Sequence, residues 1–125
     1  MLEQDYIMRL IKEAVRLLLK LLFNIDTVSP AIEQLNDLSR QGTYNGLEQK
    51  LDEGDINEAE EELFEILDGT DREDLKLAIM FYSYLNEKDD DFLSAHQFSR
   101  REIKDGLIEV LHRYGVAGME ELFLE

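Results

Sequence analysis

The chain has two histidines and no cysteine, which limits the metal chemistry open to its side chains. His96 and His112 lie 16 residues apart, and neither belongs to a His-x-x-x-His or Glu-x-x-His spacing. A zinc ion needs three or four converging ligands. His112 also falls near the end of a predicted helix, where a partly protonated imidazole interacts favourably with the helix dipole. We therefore interpret both histidines as structural and predict no metal site.

Two acidic runs carry carboxylates of the kind that bind cations or transfer protons. Asp89-Asp90-Asp91 lacks the Gly at position six and the Glu at position twelve of an EF-hand loop, where this chain has Ser94 and Arg100. The second run lies on one predicted helix, with no histidine at the spacing that di-metal carboxylate sites use. We interpret both runs as solvated acidic surface. The second run comprises Glu58, Glu60, Glu61, Glu62 and Glu65.

Aromatic side chains and nucleophiles give no better indication of a reaction. Phe81, Tyr82 and Tyr84 are close enough in sequence to line a pocket, but aromatics on an apolar helix usually belong to the core. The chain has no Gly-rich phosphate loop, and no Ser, Thr or Lys stands in a nucleophile motif. The sequence therefore predicts no catalytic, cofactor-binding or metal-binding residue, and we expect a protein that is not an enzyme.

Net charge restricts the partners of the chain. The net charge is −16, and residues 1–20 hold four basic and three acidic side chains, so the other 105 residues carry −17. This field argues against nucleic acid as a partner, because a basic surface supplies most of that affinity. Glu3 and Asp5 stand where a signal peptide would be basic. Charges also interrupt the only long apolar stretch, so we expect no transmembrane span and a cytoplasmic location.

The hydrophobic pattern predicts an all-α protein. No stretch alternates apolar and polar residues as a strand does, and there is one proline in 125 residues. We predict a single domain over 1–125 with five to six helices packed as antiparallel hairpins around a central apolar helix. Its parts are a long apolar helix (1–23), short helices (29–68), and the central and C-terminal helices (71–125). The predicted helices are Leu2–Phe23, 29–42, 44–53, 57–68, 71–87 and one from 94 or 99 to 114.

Local signals mark where these helices begin and end. Ser29-Pro30 has the N-cap and first-turn residues of a helix start. Asp71, with Asp74 three residues later, resembles a capping box in which Asp replaces Glu. Gly115 is placed to adopt the left-handed conformation after the last long helix, with Val116 as its hydrophobic contact. Residues 119–124 are long enough for one further turn.

The helix at 71–87 is apolar on nearly every side, which is typical of a central helix. Gly106, inside the last long helix, costs about 1 kcal/mol relative to Ala. Its presence therefore predicts that another element packs closely there.

One helix turn resembles a tetratricopeptide repeat. Gly54-Asp55-Ile56-Asn57-Glu58-Ala59, followed by Leu63 and Ile66-Leu67, is similar to the inter-helix turn and second helix of that repeat. The preceding helix departs from the repeat at Thr43, Gly46 and Leu47, and Asp71 stands where the repeat has its closing proline. The resemblance implies close antiparallel packing of two helices rather than an array of repeats.

A second resemblance concerns the start of the chain. Gln4-Asp5-Tyr6-Ile7-Met8-Arg9, with Ile11-Lys12-Glu13 and the leucine-rich run to Phe23, resembles the opening of an uncharacterised family of short acidic proteins. That family, a domain of unknown function, occurs in low-GC Gram-positive bacteria. The resemblance implies a bacterial, cytoplasmic, helical protein and assigns no catalytic residue.

The first helix carries more apolar surface than one core requires. At about 100° per residue, its charged side chains fall within a sector roughly 100° wide, and its apolar side chains fill about 220°. A helix packed on one core needs an apolar stripe of about 100° or slightly more. If the core covers about 120°, roughly 100° of apolar arc remains. The charged sector comprises Asp5, Arg9, Lys12, Glu13, Arg16 and Lys20.

Three arrangements would cover that surplus. Other helices of the same chain can wrap the first helix on both sides. A second copy or another protein can pack on it, and this is the function that we favour: an interaction or self-association module, with a homodimer as the expected form. Ile7, Ile11, Ala14, Leu18 and Leu21 have the spacing of a helix–helix seam. Candidate interface residues are Tyr6, Met8, Leu10, Ile11, Val15, Leu17, Leu18, Leu19 and Leu22.

A membrane surface is the third possibility, with the helix as an in-plane anchor. Arg9, Lys12, Arg16 and Lys20 would then face anionic headgroups, each contributing about 1 kcal/mol. Asp5 and Glu13 cancel half of those four charges, and the remaining −17 is repelled by the same surface. We therefore rank this alternative below a protein interface.

Overall fold

A computed structural model describes residues 2–116, 118, 122 and 123. Within those residues every regular element is helical and no strand occurs, which confirms the all-α prediction. The elements are α1 (Leu2–Phe23), a 3-10 turn (Ile32–Gln34), α2 (Leu38–Asp52), α3 (Ile56–Ile66), α4 (Arg72–Asn86), α5 (Asp90–Ala95) and α6 (Arg100–Arg113).

Helix α4 lies at the centre of the fold. It packs against α1, α2 and α6, and α1 also packs against α6. Every residue from Leu75 to Ser83 is buried, so all sides of α4 are covered. A helix that is apolar around its whole circumference has to be surrounded in this way. The prediction of a central helix at 71–87 is therefore confirmed.

Several predicted helix ends are confirmed. Helix α1 has the predicted bounds, and Asp71 caps α4 by accepting hydrogen bonds from the backbone N–H groups of Glu73 and Asp74. Helix α6 starts at the later of its two predicted positions, after a capping box between Ser99 and Glu102. At its other end Gly115 is left-handed (φ 60°), as predicted.

The predicted helix at 29–42 is wrong. Residues 32–34 form a single 3-10 turn between extended residues Ala31 and Leu35, and α2 begins at Leu38. Helix α2 then continues through the positions predicted as a break and includes the helix predicted at 44–53. The reason is that Asp37, not Ser29, provides the cap, accepting a hydrogen bond from the backbone N–H of Arg40.

Arg40 holds that cap in place through contacts with α4. Its guanidinium lies 2.7 Å from carboxylate oxygens of Asp37, Asp71 and Asp74. The Asp74 carboxylate binds Arg40, so it does not complete the predicted capping box with Asp71. One arginine therefore joins the N-termini of α2 and α4.

Smaller corrections concern α3 and α5. Helix α3 begins at Ile56, one residue before the predicted start at 57, with Asp55 in the cap position. The acidic run at 89–91, which lies outside every predicted helix, begins the short helix α5, and Asp89 is its cap. Gly54 (φ 86°) joins α2 to α3, which pack against each other; their tetratricopeptide-like geometry stays a prediction. The predicted turn at 119–124 falls mostly outside the described residues.

Gly106 allows α6 to pack closely on α4, as predicted. A Cβ atom built on Gly106 would overlap the Tyr82 ring, whereas one built on Gly46, in α2, would meet nothing within 4 Å. The absence of a side chain at Gly106 is therefore a packing requirement between two helices.

Gly106→Ala is expected to lower the free energy of unfolding by about 1–3 kcal/mol, because overpacking outweighs the better helix propensity of alanine. Gly46→Ala, the matched control in an open helical position, should raise it by up to about 1 kcal/mol. Urea unfolding followed by circular dichroism measures both. Stabilisation of the chain by both substitutions would contradict the close approach of Tyr82.

Candidate interface on the first helix

One face of α1 belongs to the core of the single chain. Four of the five positions of the predicted helix–helix seam are buried within the single chain: Ile7, Ile11, Ala14 and Leu18. This corrects the prediction that the seam faces a partner. Val15 and Leu19, which are among the candidate interface residues, are buried as well.

The nine candidate interface residues therefore divide into two groups. Four are buried in the core: Ile11, Val15, Leu18 and Leu19. The other five remain at the surface in part, with Met8, Leu10, Leu17 and Leu22 half-buried and Tyr6 exposed.

The flank that contains Met8 is closed off by α4. The side-chain amide of Asn86 donates a hydrogen bond to the Met8 carbonyl oxygen (3.1 Å). Met8 and Val15 line one small cavity together with Ser83 and Asn86. This side of α1 therefore contributes little free surface.

The opposite flank carries the apolar surface that remains. Tyr6 is 45% exposed and Leu21 62% exposed, and Leu10 and Leu17 between them are half-buried. At about 100° per residue, these four side chains fall within about 60° of the helix circumference. We call them the Tyr6 stripe. Leu21 belongs to the predicted seam but not to the nine candidate interface residues, and its exposure adds it to this surface.

The Tyr6 stripe has a symmetric spacing. Tyr6 and Leu21 are equally distant from the midpoint between Glu13 and Ala14, and so are Leu10 and Leu17. A two-fold interface requires that residue i contact residue j of the partner while j contacts i. Two antiparallel copies of α1 centred on that midpoint would therefore pair Tyr6 with Leu21 and Leu10 with Leu17.

A basic row borders the stripe on one side. Arg9, Lys12, Arg16 and Lys20 follow one another along α1 over about 17 Å. Arg16 lies 3.0 Å from Glu13, and their hydrogen bond lowers the pKa of the Glu13 carboxyl below its ordinary value. Lys20 lies 3.5 Å from Asp26. Both ion pairs are exposed, so water screens them and each contributes little to stability.

The histidines are not brought together. His96 packs on the Phe92 ring, and its Nδ1 lies 2.8 Å from the Phe92 carbonyl oxygen. His112 is exposed near the end of α6. In the part of the chain that the structure describes, no three His, Asp or Glu residues are grouped as a metal site would require.

Most residues of the two acidic runs form hydrogen bonds or ion pairs with other parts of the chain. Asp89 caps α5, and Asp90 accepts a hydrogen bond from Arg100 (3.0 Å). On α3, Glu58 and Glu62 lie 2.9 and 3.4 Å from Lys50.

Among the described residues, Glu60 contacts a core tyrosine and not a surface cation. It is half-buried and accepts a 2.6 Å hydrogen bond from the Tyr82 hydroxyl. Burial raises the pKa of Glu60, and the Tyr82 hydrogen bond opposes that shift only in part. Phe81 and Tyr82 are core residues, as predicted.

Sequence reasoning missed three buried cations, Lys76, Arg100 and Lys104, of which Arg100 is the most deeply buried. Arg100 is 1% exposed, and its guanidinium donates to the backbone carbonyls of Asn86 and Lys88 and to the Asp90 carboxylate. It therefore satisfies carbonyl groups at the end of α4. Arg100 and Arg101 are adjacent and are followed by Glu102, as at an exposed helix start, so no local signal distinguishes Arg100 from Arg101.

The chain belongs to a family of unknown function, DUF6483, whose model matches residues 1–115. This agrees with the resemblance to an uncharacterised domain. Searches of curated proteins and of solved structures found no match.

Glu60→Gln is expected to stabilise the chain at neutral pH. The pKa of Glu60 is higher in the folded chain than its ordinary value. Its favourable contribution to the free energy of unfolding is therefore complete at a pH below the ordinary pKa, and it is lost as the pH rises through the raised pKa of the folded chain. Glutamine removes the charge and keeps an acceptor for Tyr82. Urea unfolding at neutral pH should therefore show a gain that shrinks toward zero as the pH falls below the ordinary pKa.

Glu61→Gln, the exposed neighbour, makes the same change of net charge and is the matched control. A loss of stability in Glu60→Gln at neutral pH would mean that the hydrogen bond from Tyr82 outweighs the burial of the carboxylate.

Proposed function

We propose that the chain is a non-enzymatic self-association module whose interface is the Tyr6 stripe of α1. In the proposed homodimer, two copies of α1 lie antiparallel across a two-fold axis near Glu13 and Ala14. The observation that carries the proposal is the symmetric placement of four exposed or half-buried apolar side chains on a helix whose other apolar face is already buried.

The size of the stripe indicates a moderate affinity. One helix face is smaller than the standard interface of about 1,600 Å². Association also costs at least about 4 kcal/mol in lost translational and rotational freedom. We therefore expect a dimer that dissociates in the micromolar range rather than an obligate one.

The burial pattern favours a protein interface over an in-plane membrane anchor. Ile7, Ile11 and Leu18, which an anchor would insert into the bilayer, are buried against the rest of the chain. Across the described residues, no helix has the length and apolar character needed to cross a bilayer. A cytoplasmic location in a bacterium, as the resemblance at the chain start implies, belongs to the same proposal.

Leu21→Glu is expected to convert the dimer into a folded monomer, because it places a carboxylate opposite Tyr6 of the other copy twice in each dimer. Light scattering coupled to size-exclusion chromatography, from about 5 to 500 μM, measures the mass, and circular dichroism checks the fold. Full burial of a leucine side chain contributes about 1.5–3 kcal/mol. The variant dimer loses part of this burial energy twice, once at position 21 of each copy. The dissociation constant should therefore rise at least about tenfold.

Leu38→Glu is the matched control. It makes the same substitution at a side chain that is 84% exposed and lies on α2, away from the stripe. The control should remain dimeric. A wild-type chain that stays monomeric at the highest concentration would contradict the proposal, as would equal effects of the two substitutions.

The absence of cysteine permits a direct test of the register. The double variant Leu10→Cys, Leu17→Cys should form a disulfide-linked dimer, since each new thiol would face its counterpart. Within one helix these positions are about 10 Å apart, too far for an internal disulfide. Each single variant should remain unlinked under the same oxidation, whereas linking of the single variants would indicate a parallel arrangement and overturn the register.

A further inference from the structure

A second surface on α1 has a different chemistry from the stripe. The basic row lies about 100° around the helix from the Tyr6 stripe. The connection after α1 folds back along it, and Lys20 contacts Asp26. Val28, in this connection, is 61% exposed, and a shallow groove of about 360 Å³ separates it from the row. Residues lining the groove are Arg9, Lys12, Glu13, Arg16 and Val28.

The four cations of the row differ in how far they are neutralised. Glu13 neutralises Arg16, and Asp26 lies beside Lys20. Within the described residues, by contrast, Arg9 and Lys12 form no ion pair and no side-chain hydrogen bond, and both are exposed. Two cations without an ion pair therefore lie beside an exposed valine, on a chain whose net charge is −16.

We propose that this groove binds an acidic segment of another protein, with two carboxylates about one helical turn apart and an apolar side chain. The carboxylates would pair with Arg9 and Lys12, which are three residues apart on α1. The apolar side chain would cover Val28. The proposal goes beyond self-association and uses a different face of α1, so either can hold without the other.

Charge and shape favour a short acidic segment over other anions. A membrane surface or a nucleic acid presents many negative charges to the −17 carried by the rest of the chain. A short segment presents only a few, and salt screens charges beyond about 8 Å at physiological ionic strength. A groove with an exposed valine also accepts an inserted side chain, which a flat layer of headgroups does not provide.

Fluorescence anisotropy with the full chain tests the proposal. The probe is a fluorescein-labelled helical peptide with glutamates one turn apart and a row of leucines; a second peptide replaces every glutamate by glutamine. The acidic peptide should bind about tenfold more tightly than the glutamine peptide. Arg9→Gln with Lys12→Gln should weaken binding about tenfold through the removal of two charge pairs, and Val28→Ser about threefold.

The double variant Asn45→Asp, Gln49→Glu is the matched control. It changes net charge by the same −2 at exposed positions of α2 and should alter affinity by less than about twofold. If it weakens binding as much as the substitutions in the groove, overall charge and not the groove attracts the peptide. Failure of the acidic peptide to bind, or equal binding of the glutamine peptide, would overturn the proposal.

Two further measurements separate the competing ligands and the two faces. Binding of phosphatidylserine vesicles that depends on Arg9 and Lys12, without peptide binding, would assign the groove to membranes instead. Raising the salt concentration should weaken peptide binding, because it is electrostatic, and strengthen the dimer, because it screens repulsion between two acidic copies. A chain that dimerises through Leu21 but does not bind the peptide disproves the groove and leaves self-association standing.

Discussion

Burial of α4 on every side is the constraint around which the other helices are arranged. Its buried polar side chains need partners, since an unpaired buried group costs about 1–3 kcal/mol. Lys76 donates to the Gln34 carbonyl (2.8 Å) and lies 2.9 Å from Glu73. Asn86 donates to the Met8 carbonyl and accepts from Arg100. These contacts fix α1, the connection before α2, and α6 against α4, so specific polar bonds supplement apolar packing.

The exposed surface of α1 follows from its position at the edge of this arrangement. α4 and α6 are its main helical neighbours, and together they cover roughly 140° of its circumference, from Ala14 round to Leu19. About 220° is apolar, so the stripe from Tyr6 to Leu21 remains. Packing within the chain therefore covers more of the apolar surface of α1 than a single core face would, but it does not cover all of that surface. The uncovered part lies on one flank, which is the condition for a defined interface.

The sequence predicted the elements whose signals are long or strictly local. Periodicity over 22 residues identified α1, and the cap at Asp71 and the glycine at Gly115 marked helix ends. It failed where two local signals compete. Ser29 and Asp37 both suit an N-cap, and contacts of Arg40 with α4 decide between them. Burial of Glu60 and Arg100 likewise depends on partners from distant parts of the chain, Tyr82 and Asn86, which no local pattern identifies.

The nearly balanced charge of α1 suits it to association. Two copies of the chain repel each other as bodies of charge −16, but salt reduces that repulsion strongly beyond about 8 Å. At close approach, the charges adjacent to the interface matter most, and residues 1–20 sum to only +1. The free energy needed to bring two copies of the stripe into contact is lower beside nearly balanced charges than it would be among the carboxylates of α3. Helix α1 thus combines a nearly balanced charge with two of the exposed large apolar side chains, Tyr6 and Leu21, and both proposed contacts use that combination.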